Sequence, residues 1–456
     1  MRSVRTTTAL VAGAAVALLF CACNGGQLSS VPPAVRTLAD AGRHGSSGKI
    51  KHIVIIVQEN RSFNNLFYGF PGAETVKYGY DTKGDKIALE PIGLETTWDI
   101  VHDYSDFLVS CNGTGSYPGT DCRMNGFDKQ YSGCGHGSSQ PPCPNANPPY
   151  SYVPHAETKP YFYLGTHYVL ADQMYASNVD ASSFISHQYI IAGQASSAVN
   201  YPSSWWGCEG EYSNFISTLS AERQYGSAIP MCWKNQTLGG EMDKSGLSWA
   251  YYASTIYGDG GIWSAYQNIS QIYDGPDWKK DVVSPPTDFL RDVAKGKLRS
   301  LTWVTPTCEN SDHAGCGSKT GPSWVASLVN AIGGSQYWNN TAIFIFWDDY
   351  GGWYDPEPPA MLDYDGLGIR IPMLIVSAYA KKGYVSHTQY EHGSILKFVE
   401  ETFGLPALAA SDKRATAPDD AFDFNKPPRT FEAVPSQYGL DYFMHQPPDH
   451  RNPDPG

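Results

Sequence analysis

The stretch Thr341-Ala342-Ile343-Phe344-Ile345-Phe346-Trp347-Asp348-Asp349-Tyr350-Gly351-Gly352-Trp353 decides how this chain is organised. Its opening apolar run is long enough for one buried strand and too short for a helix of its own. The run ends abruptly in two adjacent carboxylates, and a Gly-Gly pair then turns the chain. In open α/β sheets the crevice beyond the carboxyl ends of the strands is where ligands bind. Two acids side by side at such an edge repel each other unless a cation or a proton compensates. A divalent metal is the simplest compensation. An Asp-Asp pair alone is also an ordinary solvated turn, so the other strand ends have to decide.

The second such end is His52-Ile53-Val54-Ile55-Ile56-Val57, a β-branched run of the kind buried in parallel sheets, followed by Gln58-Glu59-Asn60-Arg61-Ser62-Phe63. Glu59 and Asn60 again offer the hard oxygens that a divalent cation prefers. Further strands are expected at Leu298–Val304 and Ile371–Val376. Trp324, Val325, Leu328, Val329 and Ile332 recur at helical spacing. Ile395, Leu396, Phe398, Val399 and Phe403 do so after Tyr390-Glu391-His392. Strand ends that deliver polar groups, separated by helices, describe a doubly wound, mainly parallel α/β sheet with helices on both faces. Loop-rich insertions over about 70–165 and 200–290 carry much of the Tyr, Trp and Gly.

Within Asp180-Ala181-Ser182-Ser183-Phe184-Ile185-Ser186-His187, small hydroxyl residues precede an apolar helical segment. A nucleophile there has backbone N–H groups and the helix dipole aimed at an incoming phosphate. Serine at that position is also a common N-cap, and the two roles are compatible. His102, within Trp98-Asp99-Ile100-Val101-His102-Asp103, and His313, within Ser311-Asp312-His313, are further groups of catalytic type.

The 456 residues are 41 % apolar, enough for a large core, and only 17 % charged. A net charge of −13 argues against a general nucleic-acid binder, which needs clustered Lys and Arg. A phosphorylated substrate stays compatible with that charge, because a metal can supply local positive charge. Arg2 and Arg5 followed by the apolar run Ala9–Phe20 read as an export signal over residues 1–23. Cys23 is a candidate lipidated residue; plain secretion is the other outcome. A Gly/Ser/Pro/Ala-rich tether over 24–48, a catalytic domain over 49–430 and a Pro/Asp-rich tail over 431–456 complete the expected organisation.

Eight further cysteines in an exported chain suggest disulfides between sequence neighbours: Cys111–Cys122, Cys134–Cys143, Cys208–Cys232 and Cys308–Cys316. Zinc ligation is the rival, although no Cys-x-x-Cys pair occurs.

Glu59-Asn60-Arg61-Ser62-Phe63, the Asp180–Gly193 segment, Ser311-Asp312-His313, Trp347-Asp348-Asp349-Tyr350-Gly351-Gly352-Trp353-Tyr354 and Tyr390-x-His392-x-Ser394 occur in this order. Together they resemble the bacterial phosphoesterases that include phosphatidylcholine-type phospholipases C and AcpA-type acid phosphatases. The resemblance runs from about 50 to 405 and implies an alkaline-phosphatase-like fold. It implies one divalent metal, Ca, Mg, Mn or another, held by Glu59, Asn60, Ser183, Asp348 and Asp349. It makes Ser183 the nucleophile, with Ser182 as the fallback. It makes His313 a phosphate or leaving-group residue, His102 a second phosphate-binding His, and His392 a residue that orients its neighbours.

Two departures stand out. Asn64 replaces the Asp common after Ser-Phe, and Phe184-Ile185-Ser186-His187 lacks the Pro and Asn-Arg of the phospholipases. The function implied is a phosphomonoesterase of acid-phosphatase type, with a phospholipase C that releases phosphocholine as the alternative. The chain's early end after the catalytic domain also points to the former. The expected substrate is a small phosphorylated molecule or a phospholipid head group, met outside the cytoplasm, with membrane contact only through an N-terminal lipid. A non-catalytic, aromatic-rich surface lipoprotein is the alternative of another class; both acid pairs and the placed Ser speak against it.

Overall fold

The computed structural model describes residues 48–135, 139–202, 207–256 and 261–447. Residues 1–23, where an export signal with Cys23 is expected, nearly all of the expected tether and the last nine residues of the tail, 448–456, lie outside them.

Nine strands form one sheet: β1 (His52–Gln58), β2 (Val169–Tyr175), β3 (Trp249–Tyr252), β4 (Val282–Val283), β5 (Leu301–Val304), β6 (Thr341–Trp347), β7 (Arg370–Ser377), β8 (Tyr384–Ser386) and β9 (Tyr390–Glu391). The order across the sheet is β4-β3-β5-β1-β6-β7-β2-β8, and β9 also pairs with β2. Every pairing is parallel except those of β7 with β6 and with β2. All strands but β7 therefore deliver their carboxyl ends to one edge.

The strands form where the sequence is β-branched and apolar. Ile53 to Val57 and Ala342 to Ile345 are fully buried, as expected of strands covered on both faces. Each such Val, Ile or Leu side chain stabilises the fold by about 1.5–3 kcal/mol.

The longer helices are α1 (Tyr104–Cys111), α2 (Lys159–His167), α3 (Ser183–Ala192), α4 (Gly321–Gly333) and α5 (His392–Phe403). α2 packs with α4 and α3 packs with α5, forming the two layers that flank the sheet. The mainly parallel, doubly wound α/β sheet expected from the strand-end pattern is what the chain forms. Among the described residues no helix is long and apolar enough to cross a membrane.

The four neighbour disulfides are present: Cys111–Cys122, Cys134–Cys143, Cys208–Cys232 and Cys308–Cys316. The start of the tail wraps the domain. Val434 and Phe443 are buried, Phe431 packs on Trp338, and Phe443 packs on Trp324.

Candidate active site

The two acid pairs meet because of strand register. β1 and β6 run parallel with Gln58 opposite Trp347, and the Asp348 N–H donates to the Gln58 carbonyl at 3.0 Å. Glu59-Asn60 and Asp348-Asp349 therefore leave the sheet side by side. Asn60 turns into the left-handed region at φ 57°, and its N–H donates to Asp348 Oδ1 at 3.0 Å.

The chain after Asp349 folds back over this point. The Gly351 N–H donates to Asp349 Oδ1 at 2.8 Å. Gly351 has φ 60°, and a Cβ there would lie 2.1 Å from the Asn60 carbonyl oxygen. Gly352 has φ 73°, and its Cβ would lie 2.3 Å from Ile100 Cγ2. The Gly-Gly pair is thus required by close approach as well as by backbone conformation.

Ser183 is the first residue of α3, reached from the end of β2. Its hydroxyl lies 3.2 Å from Asn60 Oδ1 and 3.3 Å from Asp349 Oδ2. Its backbone N–H donates to the Tyr201 hydroxyl at 3.3 Å. Ser182 occupies the N-cap position but turns elsewhere. Its hydroxyl donates to Asp180 Oδ2 at 2.9 Å and lies 3.2 Å from the Asn200 carbonyl. Asp180 also accepts the Ser182 and Asn200 N–H groups, at 3.0 and 2.5 Å. Burial raises the Asp180 carboxyl to about 7 against these hydrogen bonds.

His102 precedes α1. Its Nδ1 lies 2.5 Å from the Ile100 carbonyl, so the proton sits on that nitrogen. Nε2 is then an acceptor for the Asn60 amide Nδ2 at 2.6 Å. This contact aims Asn60 Oδ1 at Ser183. His313 stands in the loop after β5, close to the Cys308–Cys316 bridge. Its Nδ1 donates to the Ala314 carbonyl, and its Nε2 lies 4.0 Å from Asp99 Oδ2. The same Asp99 oxygen is 4.0 Å from His102 Nδ1, and the two imidazole rings are 6.1 Å apart. Trp263 packs on the His313 ring at 5.5 Å.

His187 is a member that sequence reasoning missed. It lies one helical turn after Ser183 on the same face of α3. Its Nε2 is 3.1 and 3.3 Å from the two Glu59 oxygens and 3.8 Å from Asp348 Oδ2. Burial lowers its pKa to about 4. The signal available was the Ser-x-x-x-His spacing on a helix. No local sequence pattern marks Asp99 or Tyr201.

His392 opens α5 beneath the site. Its Nε2 is 3.4 Å from the Trp347 carbonyl, and its ring packs on Phe346. Burial lowers this imidazole to about 4 as well. Asp312, beside His313, faces inward: its carboxylate accepts from the Tyr161 hydroxyl at 2.7 Å and from Trp347 Nε1 at 3.1 Å. Burial raises it to about 6. Arg61 donates from Nε to the Asp312 carbonyl at 2.8 Å and stacks on Trp353 at 4.5 Å. It braces the His313 loop from behind.

The donor set fits a divalent cation. Glu59, Asn60, Ser183, Asp348 and Asp349 are all fully buried. Glu59, His187 and Asp348 bring ligand-capable atoms within 4.8 Å of one another. Asp348 Oδ2 has no hydrogen-bond partner among the described residues. A buried carboxylate oxygen without a partner is costly, and a cation beside it removes that cost.

Comparison with known proteins places these residues in a family. The chain is 24 % identical over 494 aligned residues to a non-hemolytic phospholipase C of Burkholderia pseudomallei, covering 92 % of this chain and 65 % of that enzyme. It is 25 % identical over 450 residues to phospholipase C B of Mycobacterium tuberculosis, covering 86 % of this chain and 80 % of that enzyme. A solved structure of an alkaline phosphatase superfamily protein from Vibrio parahaemolyticus aligns with a TM-score of 0.37 at 12 % identity, over 82 % of this chain and 72 % of its own. Residues 50–406, a span that contains every site residue described above, match the Phosphoesterase family. The chain belongs to the Phosphoesterase family.

Proposed function

We propose that this chain hydrolyses phosphoesters through a phosphorylated Ser183. The observation that carries this reading is the Ser183 hydroxyl, set at the amino end of α3 between Asn60 Oδ1 and Asp349 Oδ2 at 3.2 and 3.3 Å. Glu59, Asn60, Ser183, Asp348 and Asp349 would hold one divalent cation. When bound, such a cation lowers the pKa of a neighbouring hydroxyl and offsets negative charge on phosphoryl oxygens.

The chain's own residues do the rest. His102, with its proton on Nδ1, holds the Asn60 amide in one orientation. Ser183 Oγ passes its proton to Asp349 Oδ2, 3.3 Å away, and attacks phosphorus while the ester oxygen leaves; Asp349 returns the proton when the phosphoserine is cleaved. His313, fixed through Nδ1 on the Ala314 carbonyl, supplies a proton to that oxygen from Nε2. A water molecule then cleaves the phosphoserine, with His313 Nε2 taking the proton back. The Ser183 N–H, now on the Tyr201 hydroxyl at 3.3 Å, is a helix-end donor available to a phosphoryl oxygen once that hydroxyl gives way.

The substrate we favour is a phosphomonoester. A second reading, phospholipase C action on a choline or ethanolamine lipid, is supported by the names of the relatives. Both share the Ser183 step and differ in the groups the phosphorus carries. The direct test compares p-nitrophenyl phosphate with p-nitrophenylphosphorylcholine, with and without chelator. Acid-quenched enzyme should carry phosphate from the monoester, or phosphocholine from the diester, on the peptide that contains Ser183, and the absence of both adducts would overturn the mechanism. Faster turnover of the choline diester would select the second reading.

A further inference from the structure

We infer that His187 is itself a ligand of the cation, so that the site selects a first-row transition metal over calcium or magnesium. The inference rests on the metal site proposed above and adds a nitrogen donor to it. Ser183 and His187 are four residues apart on α3, so both side chains face the same way. Ser183 meets Asn60 and Asp349, and His187 meets Glu59 and Asp348 one turn deeper.

The spacing is that of atoms around a common ion. Donors bound to one small cation at about 2.0–2.3 Å stand about 3–4 Å from each other. His187 Nε2 stands 3.1 Å from Glu59 Oε1 and 3.8 Å from Asp348 Oδ2. A hydrogen bond from His187 to Glu59 would account for the first distance alone. It leaves Asp348 Oδ2 fully buried, beside the same ring nitrogen and without a hydrogen-bond partner among the described residues. A cation among the three explains both.

The nitrogen narrows the choice of metal. Calcium and magnesium take oxygen ligands. Imidazole suits iron, zinc and the metals between them, with affinity rising from manganese to cobalt and beyond.

The test uses the full chain, stripped of metal and reloaded with Mn²⁺, and needs no turnover. Pulsed electron paramagnetic resonance of the Mn²⁺ protein should show a directly bound ¹⁴N, and His187→Gln should abolish that coupling while Mn²⁺ still binds. Dialysis against equal Co²⁺ and Ca²⁺, read by elemental analysis, should show the same substitution cutting the preference for Co²⁺ by ~10–100-fold. Bound Mn²⁺ without nitrogen coupling, or coupling that survives His187→Gln, overturns the inference and leaves the metal site standing. Failure of the unaltered chain to retain any of the three cations removes the metal site as well. Should His187→Gln not fold, His102→Gln replaces the other imidazole that reaches these residues. Coupling must then persist, and its loss would assign the nitrogen to His102.

Discussion

Ser182 and Ser183 are adjacent, equally buried and of one chemistry, yet their hydroxyls meet different partners. Ser182 is spent on Asp180 and the Asn200 carbonyl, whereas Ser183 faces Asn60 and Asp349. Ser183→Ala should therefore lower kcat by at least ~10⁴-fold, in line with the loss of a nucleophile, while a product analogue still binds by calorimetry. Ser182→Ala should lose far less activity, and the reverse pattern would move the nucleophile. Asn64 shows how a departure from a family pattern can be structural. Its amide accepts the Val76 N–H at 2.8 Å and donates to the Val76 carbonyl at 3.3 Å, pinning the loop after Phe63–Phe67.

At the scale of elements, the site is an alignment of strand ends held by glycine turns and buried ion pairs. Gly351→Ala would place a methyl group 2.1 Å from the Asn60 carbonyl in a left-handed backbone conformation. The Asn60 peptide must then shift, so both metal content and kcat should fall; wild-type values for both would remove this contact from the site. Behind the site, Arg370 Nε donates to Asp355 at 2.9 Å with both side chains fully buried. Asp355 in turn accepts the Asn64 N–H, tying β7 to the segment after Asn60. Arg370→Met leaves that carboxylate buried and uncompensated, and should cost about 3–5 kcal/mol in denaturant unfolding.

These elements were legible to different degrees. The strands ending at Gln58 and Trp347 could be read directly, because a β-branched or aromatic run that stops at an acid is a local pattern. The antiparallel course of β7 could not, since an apolar run carries no direction. His187 was missed because a His inside an apolar helix reads as core until its neighbours across the sheet are known.

For the whole molecule, two perturbations should move stability as a unit. If the cation binds only the folded chain, chelation should remove about 2.7 kcal/mol when the metal stands at a hundred times its Kd, seen as a lower Tm. An unchanged Tm would mean no bound metal. The second concerns Glu400 on α5, which burial, and then its contact with Asp412, raises from 4.5 to about 9. Below the ordinary value both folded and unfolded chains hold this proton. Between there and the raised value only the folded chain does, so this group's contribution to stability is lost as pH rises. Glu400→Gln should match the parent near pH 4 and exceed its Tm increasingly toward pH 8; parallel curves would exclude Glu400 as the source.

The sequence by itself determined the sheet class, the acids that end its two central strands and the family, because each is written in contiguous residues or short spacings; it suggested the four cysteine pairs, which the fold then made. Only the tertiary structure decided which serine faces the acids, that Asp99 stands between two histidines, and that His187 lies within reach of Glu59 and Asp348. Those facts depend on strand register and on which face of a helix meets the sheet. Register and facing are set by packing between segments more than a hundred residues apart in the chain.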